Sequence, residues 1–142
     1  MDNLKLARET LYIENQKIVI VNDNSIVYKN DSFGIKPLFI AFNTIKDKMK
    51  GASCADRVIG KAAALIYKQA QIKELYCDII TTIGKEILLN SGIHVTFIEE
   101  IEYVKNREKN GMCPVETLAK DEIDFSNLLK NIEIFLQEKK LL

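Results

Sequence analysis

The sequence predicts a three-layer α/β/α sandwich built on a mixed sheet. Short apolar runs typical of strands alternate with segments of helical periodicity. Two early strands are joined by a tight turn, which indicates antiparallel pairing, whereas two later strands are separated by a helix, which indicates parallel pairing. Helices then cover both faces of the sheet. The length of 142 residues suits a single domain over residues 1–142.

The composition is that of a soluble globular protein, with 47% hydrophobic and 28% charged residues. Apolar runs are all shorter than the roughly 20 residues that a spanning helix needs, and the first residues lack a secretory pattern. Twenty basic residues balance twenty acidic ones, so no overall field attracts nucleic acid or an anionic membrane. We therefore expect a cytoplasmic protein that binds neither a membrane nor nucleic acid.

The first elements are a helix and a hairpin. Asp2 or Asn3 can cap a helix that runs to about Glu14, with apolar residues at helical spacing. Two apolar runs follow, Lys17–Asn22 and Ser25–Lys29. The Asn-Asp-Asn sequence around their junction tolerates a left-handed backbone, which predicts a tight antiparallel turn.

The next helices are bounded by proline and glycine. Pro37 suits the first turn of a helix that ends at Gly51. A second helix is predicted over Ser53–Ala70, because apolar side chains fall on one broad arc at 100° per residue. Cys54 and Asp56 lie at its start, where free N–H groups and the helix dipole favour a small-molecule or anion site.

The second half predicts a strand, a helix and a strand, followed by two more helices. The strands are Glu74–Thr81 and His94–Ile98, and the helix between them is Thr82–Asn90. Pro114 suits the first turn of a short helix. The last helix, about Asp124–Lys139, has apolar residues at i, i+3, i+4, i+7, i+10 and i+11.

Several candidate residues have both a functional and a structural interpretation. Asp56 either contacts a ligand or satisfies N–H groups of its own helix. Lys61 either reaches a phosphate or pairs with an acid in solvent. Gly60 indicates a close approach, with packing against another helix favoured over a ligand. Cys113 before a helix start is either a reactive thiolate or a buried thiol, and His94 has no sequence neighbour that would make it catalytic.

The three cysteines are widely spaced and odd in number, which favours free thiols in a reducing compartment. Cys77, in a strand, is most simply a core residue. Cys54 has the same two interpretations as Cys113. The glycines occur singly, so a glycine-rich phosphate loop is not expected.

Two motifs resemble a known superfamily. Cys54-Ala55-Asp56-Arg57 resembles the Cys-Ala-Glu-Arg that opens the zinc-bearing helix of cytidine deaminases. The run from Ala55 to Ala64, with Cys113-Pro114-Val115-Glu116 downstream, is more similar to an uncharacterised prokaryotic group, the domain of unknown function 1893. The resemblance covers about Gln16 to Glu116 and implies a cytidine deaminase-like fold.

The sequence departs from working deaminases where zinc would bind. A zinc deaminase needs Pro-Cys-x-x-Cys at the start of the next helix. That helix begins here with Thr81-Thr82-Ile83-Gly84-Lys85-Glu86, which offers neither thiol nor imidazole. Asp56 is also one methylene shorter than the catalytic glutamate. No metal site and no cofactor are therefore predicted.

Three functional hypotheses follow. The first is a binding module for a nucleoside- or nucleotide-like ligand, in which Asp56 accepts hydrogen bonds, Arg57 and Lys61 favour phosphate, and residues 33–37 form a wall. The predicted ligand-binding residues are Gly34, Cys54, Asp56, Arg57, Lys61, Cys113 and Glu116. The second is an enzyme that uses Asp56 with a thiol, Cys54 or Cys113, as its catalytic residues on a nucleotide. The third is a homodimer formed through the terminal helix or a strand edge.

Overall fold

Helices and strands follow one another along residues 2–106 and 108–142, the part of the chain that the computed structural model describes. The elements are α1 (Asn3–Ile13), β1 (Ile18–Asn22), β2 (Ser25–Asn30), α2 (Lys36–Met49), β3 (Ser53–Ile59), α3 (Lys61–Ala70), β4 (Glu74–Thr81), α4 (Thr82–Asn90), β5 (His94–Ile101), α5 (Pro114–Ala119) and α6 (Phe125–Glu138).

The five strands form one mixed sheet in the order β2-β1-β3-β4-β5. β1 is antiparallel to both β2 and β3, and β3, β4 and β5 are parallel to one another. Asp23 and Asn24, in the turn between β1 and β2, have φ values of 52° and 62°. The predicted hairpin and the predicted parallel pair of strands are both confirmed.

Helices lie on both faces of the sheet, which confirms the predicted three layers. On one face, Ala7 and Leu11 of α1 pack against Val19, Ala55 and Tyr76. The other face carries the larger core, which contains buried residues from α2, α3, α4, α5 and α6. The largest side chains in this core are Tyr67, Ile20, Met49, Ile59, Ile66, Leu75, Ile80, Leu88, Leu128, Ile132 and Leu136.

The first and last helices begin at aspartate caps. Asp2 accepts a hydrogen bond of 3.1 Å from the backbone N–H of Lys5. Asp124 accepts from the N–H groups of Ser126 and Asn127 at 2.8 and 3.2 Å. Each cap satisfies N–H groups that a helix leaves free at its start. Both helices lie where the sequence predicts them.

The helix predicted over Ser53–Ala70 is wrong for its first third. Ser53–Ile59 is strand β3, and helix α3 begins only at Lys61, with Gly60 in an extended conformation between them. β3 lies in the middle of the sheet and has helices on both faces, so most of its side chains are buried regardless of direction. A strand buried in this way shows a continuous apolar run that periodicity does not separate from a helix.

Smaller differences concern element ends. β5 extends to Ile101, beyond the predicted end at Ile98. α2 begins at Lys36 and α5 at Pro114, in agreement with the proline signals. Among the described residues, no helix has the length and apolar character needed to cross a membrane.

Candidate functional site

A cavity of about 260 Å³ lies beside the carboxyl end of β3, at the start of α3. Its walls are mostly apolar and come from β1, β3, α2, α3, α5 and the loop after β2. The larger apolar residues of these walls are Ile18, Phe33, Ile35, Pro37, Leu38, Val58, Val104 and Val115. The polar residues of the walls are Lys17, Ser32, Asp56, Arg57, Cys113 and Glu116. An apolar cavity with a few polar groups is the usual form of a small-molecule site.

Asp56 is the acidic group that β3 places in the cavity wall. Its Oδ2 accepts a hydrogen bond of 2.6 Å from the hydroxyl of Tyr67, and its Oδ1 accepts one of 2.7 Å from the N–H of Arg57. Burial disfavours the charged form and raises the pKa of Asp56 to about 7, although these hydrogen bonds act in the opposite direction. The carboxyl group therefore changes protonation near neutral pH.

Glu116 comes from α5 and contacts the start of α3. Its Oε2 accepts a hydrogen bond of 3.0 Å from the N–H of Lys61, the first residue of α3. α3 has no side-chain cap of its own, so the carboxylate satisfies an N–H group that would otherwise be free. Burial raises the pKa of Glu116, and the backbone N–H groups of Lys61 and Ala62 oppose that shift.

Gly60 leaves the space that the Glu116 carboxylate fills. A Cβ atom at Gly60 would lie 1.2 Å from Oε1 of Glu116 and 2.3 Å from its Cδ. Any other residue at this position would displace the carboxylate. The close approach expected at Gly60 is therefore a packing contact, made by a side chain of another helix.

Lys17 and Phe33 lie together at the cavity wall. The Lys17 ammonium is 4.4 Å from the centroid of the Phe33 ring, within the range of a cation–π interaction. Phe33 is 81% exposed, so its ring is accessible from solvent. An exposed aromatic ring beside a cation offers a surface on which a planar ligand can stack.

Arg57 directs its guanidinium away from these groups, toward α1. Its Nη1 is 3.2 Å from Oδ2 of Asp78, and its Nη2 and Nε donate to the carbonyl groups of Leu11 and Gln16 at 3.0 and 2.9 Å. The guanidinium also lies 4.9 Å from the ring centroid of Tyr12. Arg57 borders the cavity, but its charge fixes α1 and the chain after it onto the sheet.

The family model described as TM1506, a domain of unknown function (DUF1893), matches residues 6–136. The chain belongs to this family. The structure is similar to that of a DUF1893 family protein from Thermotoga maritima, with a TM-score of 0.82 and 19% identity, over 92% of this chain and 87% of that one. At this identity the similarity shows the fold alone.

Acinetobacter baumannii RibD is a second similar structure, with a TM-score of 0.48 and 19% identity, over 67% of this DUF1893 chain and 32% of that chain. A similarity of this size supports no argument about function. No curated protein is significantly similar to the sequence. The predicted resemblance to DUF1893 is confirmed, and the wider resemblance to deaminases stays a prediction.

Five of the seven predicted ligand-binding residues line the cavity of this DUF1893 protein. They are Gly34, Asp56, Arg57, Cys113 and Glu116. The other two lie elsewhere. Cys54 is fully buried in the larger core, and the Lys61 ammonium donates to the carbonyl of Lys120 at 2.9 Å.

The three thiols differ in their surroundings. Cys113 is partly exposed and lines the cavity, whereas Cys54 and Cys77 are fully buried. Burial, with Asp56 nearby, raises the pKa of Cys54, and the same two causes raise the pKa of Cys77 to about 12. Only Cys113, among the three, combines access to solvent with a place in the cavity wall.

Sequence reasoning missed Tyr67 and Lys17. Tyr67 is fully buried on the face of α3 that also contains Ala63 and Ala70, at i−4 and i+3. That spacing indicates a core position for Tyr67. It does not indicate the contact with Asp56, because the sequence predicts both residues on one helix, Ser53–Ala70. Lys17 comes just before β1, and nothing in the sequence separates it from other exposed lysines.

The residues of the cavity do not fit zinc. Within residues 2–106 and 108–142, no three His, Cys, Asp or Glu side chains are grouped so that they could hold a metal ion. Cys54, which stands where the resemblance would place a zinc ligand, is enclosed in the core. The described residues around the cavity therefore do not supply the three ligands that a zinc-activated water requires.

Proposed function

We propose that this DUF1893 protein is a deaminase-like binding domain without zinc, whose cavity holds a nucleoside- or nucleotide-like small molecule. The observation that supports this proposal most directly is one cavity that combines apolar walls, an exposed aromatic ring and a carboxyl group with a pKa near neutral. A nucleobase needs these three features, which are a place to stack, apolar surroundings and a partner for its polar edge.

The size of the cavity limits the ligand. Ligand pockets commonly measure about 300 to 1,000 Å³, and this cavity, at about 260 Å³, is slightly smaller. A single nucleobase with its ribose is a reasonable upper size. A dinucleotide would extend well outside the cavity.

Phosphate recognition would depend on Lys17. The sequence predicts Arg57 and Lys61 as phosphate ligands, but Arg57 is paired with Asp78 and Lys61 donates to the carbonyl of Lys120, just after α5. Lys17 borders the cavity beside Phe33, so a base stacked on Phe33 would direct its 5′-phosphate toward the Lys17 ammonium and its polar edge toward Asp56. Nucleosides should therefore bind, and 5′-monophosphates should bind more tightly.

The test is a thermal-shift screen followed by calorimetry with the four ribonucleosides, their 5′-monophosphates and nucleotide sugars. We expect Asp56→Asn and Phe33→Ala to weaken binding, the second by about tenfold, because stacking on an aromatic ring is worth about 1–3 kcal/mol. Lys17→Ala should weaken the binding of 5′-monophosphates and leave the affinity for nucleosides unchanged. Ile98→Ala, at an exposed apolar residue of β5 that is not in the cavity wall, is the control. Absence of a shift with every probe would contradict the proposal.

A second candidate is an enzyme that uses Asp56 with Cys113 in hydrolysis or group transfer on a nucleotide. The specific observation in its favour is that both residues line the same cavity, whereas the alternative thiol, Cys54, is sealed in the core. This candidate requires that Cys113→Ala and Asp56→Ala each abolish turnover in a folded protein. Binding without turnover in the wild type leaves the binding domain as the function.

A further inference from the structure

Helix α5 forms one wall of the cavity. Val115 and Glu116 of this helix line the cavity, and Cys113 lines it just before the helix begins. Ala119, at the other end, is fully buried in the larger core. Removal of α5 would therefore open one side of the cavity to solvent without disturbing a strand.

Two polar contacts join α5 to the first residue of α3. Oε2 of Glu116 accepts from the N–H of Lys61 at 3.0 Å, and the Lys61 ammonium donates to the carbonyl of Lys120, just after α5, at 2.9 Å. The first contact is buried, since Glu116 is only 9% exposed. Its loss would remove the acceptor of a helix N–H group, so of the two polar contacts this one contributes more to holding α5 in place, together with the burial of Ala119 in the core.

The surroundings of Glu116 fit this contact closely. The carboxylate occupies the space beside Gly60 that a Cβ atom would need, and its Oε1 lies 1.2 Å from that position. A carboxylate at the start of a helix is favoured by the helix dipole as well as by hydrogen bonding. Gly60 and Glu116 therefore form a matched pair that joins two segments far apart in sequence.

The chain on the carboxyl side of α5 allows the helix to move as a unit. Residues 120–124 belong to no helix or strand. α6 then begins at a cap that it supplies itself, through Asp124, and does not depend on α5 for its first turn. A rotation about residues 120–124 would displace α5 while α6 stays packed against α2 and the core.

We propose that α5 is a lid over the cavity and that the contact of Glu116 with the start of α3 is the latch that keeps it closed. Opening separates Glu116 from Lys61 and breaks the 2.7 Å hydrogen bond from the Cys113 N–H to the Val104 carbonyl. It moves Val115 and Cys113 away from the cavity and leaves the sheet unchanged. The proposal concerns access to the cavity. It holds for any solute and does not depend on the nucleoside-like ligand.

Hydrogen–deuterium exchange of the protein without ligand tests this. In Glu116→Ala and Gly60→Ala, we expect amide exchange in peptides from 114–124 to increase by about tenfold, because both variants remove the latch. Peptides from β1 and β4 should exchange as in the wild type. Glu116→Gln keeps one acceptor oxygen and should give a smaller increase. Lys120→Ala, which keeps the carbonyl that Lys61 contacts, is the matched control.

A second measurement is the rate at which a thiol reagent modifies Cys113 in the same variants, which should increase in parallel with exchange. Unchanged exchange in α5 of folded Glu116→Ala would overturn the latch. A uniform increase across the sheet would overturn the lid, because Glu116 would then stabilise the whole fold. If Gly60→Ala does not fold, the two Glu116 variants decide the question.

Discussion

Tyr67 donates a hydrogen bond of 2.6 Å to Asp56, and this contact joins the buried face of α3 to the strand that forms the cavity wall. The two residues come from different elements and lie 11 positions apart. The hydrogen bond stabilises the charged form of Asp56, whereas burial favours the neutral form and raises its pKa to about 7. The acid is thus held in an environment that responds to pH in the neutral range.

Asp56 should make the wild-type protein less stable as the pH rises from 5 to 8. The native pKa is about 7, above the unfolded value of about 3.9, so the native state binds more protons over this range. The loss of folding free energy caused by ionisation of Asp56 is absent below about pH 4 and complete above about pH 7. The pKa difference corresponds to about 2–4 kcal/mol, with the lower end favoured because Asp56 is partly exposed.

Urea unfolding of the wild type and Asp56→Asn at pH 5, 6, 7 and 8 would measure this effect. The asparagine cannot titrate, so its free energy of unfolding should vary less with pH over this range. The difference between the two proteins isolates Asp56 from other groups such as Glu116. Parallel pH profiles for the two proteins would show that Asp56 has an ordinary pKa.

Tyr67→Phe should raise the pKa of Asp56 further. The hydroxyl donates to the carboxylate and lowers the pKa, so its removal leaves burial less opposed. The ring and its packing in the core are retained. Carbon-detected NMR titration of the Asp56 carboxyl group measures the pKa directly, and an unchanged or lower value in the variant would contradict the 2.6 Å contact.

The sequence allowed the layers of the fold to be predicted, but not the element that contains the site. Local signals were sufficient for α1, the hairpin and α6, since each begins or turns at residues with clear backbone preferences. β3 has no such signal. Its neighbours β1 and β4 come from elsewhere in the chain, and its burial on both faces is a property of the assembled sheet.

The sequence singles out several residues that lie around one cavity, but not the contacts that they make, and their role in binding a ligand stays a prediction. Gly34, Asp56, Cys113 and Glu116 all line the cavity. The roles of Arg57 and Lys61 could not be predicted, because the carbonyl groups that they contact belong to segments about 40 to 60 residues away. The preference of a long cationic side chain for one such partner depends on packing and not on local sequence.

Arg57→Gln should destabilise the protein by about 2–3 kcal/mol. The substitution removes the charge next to Asp78 and leaves the carbonyl groups of Leu11 and Gln16 with fewer donors, in a region where the Arg57 side chain is 24% exposed. Lys29→Ala is the control, since Lys29 and Glu14 form an exposed pair worth less than about 1 kcal/mol. If chemical denaturation shows that Arg57→Gln and Lys29→Ala lower the free energy of unfolding equally, the structural role of Arg57 is contradicted.

Cys113 should react with a thiol reagent in the native protein, whereas Cys54 and Cys77 should react only after unfolding. Cys113 is partly exposed in the cavity wall, and the other two thiols are fully buried with raised pKa values. Mass spectrometry after brief iodoacetamide treatment should show one modified residue, mapped to Cys113, and Cys113→Ala should show none. A bound nucleoside should slow the reaction, because it occupies the space that Cys113 lines. Native modification of Cys54 at a comparable rate would mean that the core beside β3 opens readily, and the cavity would then not be the route by which reagents reach the thiols.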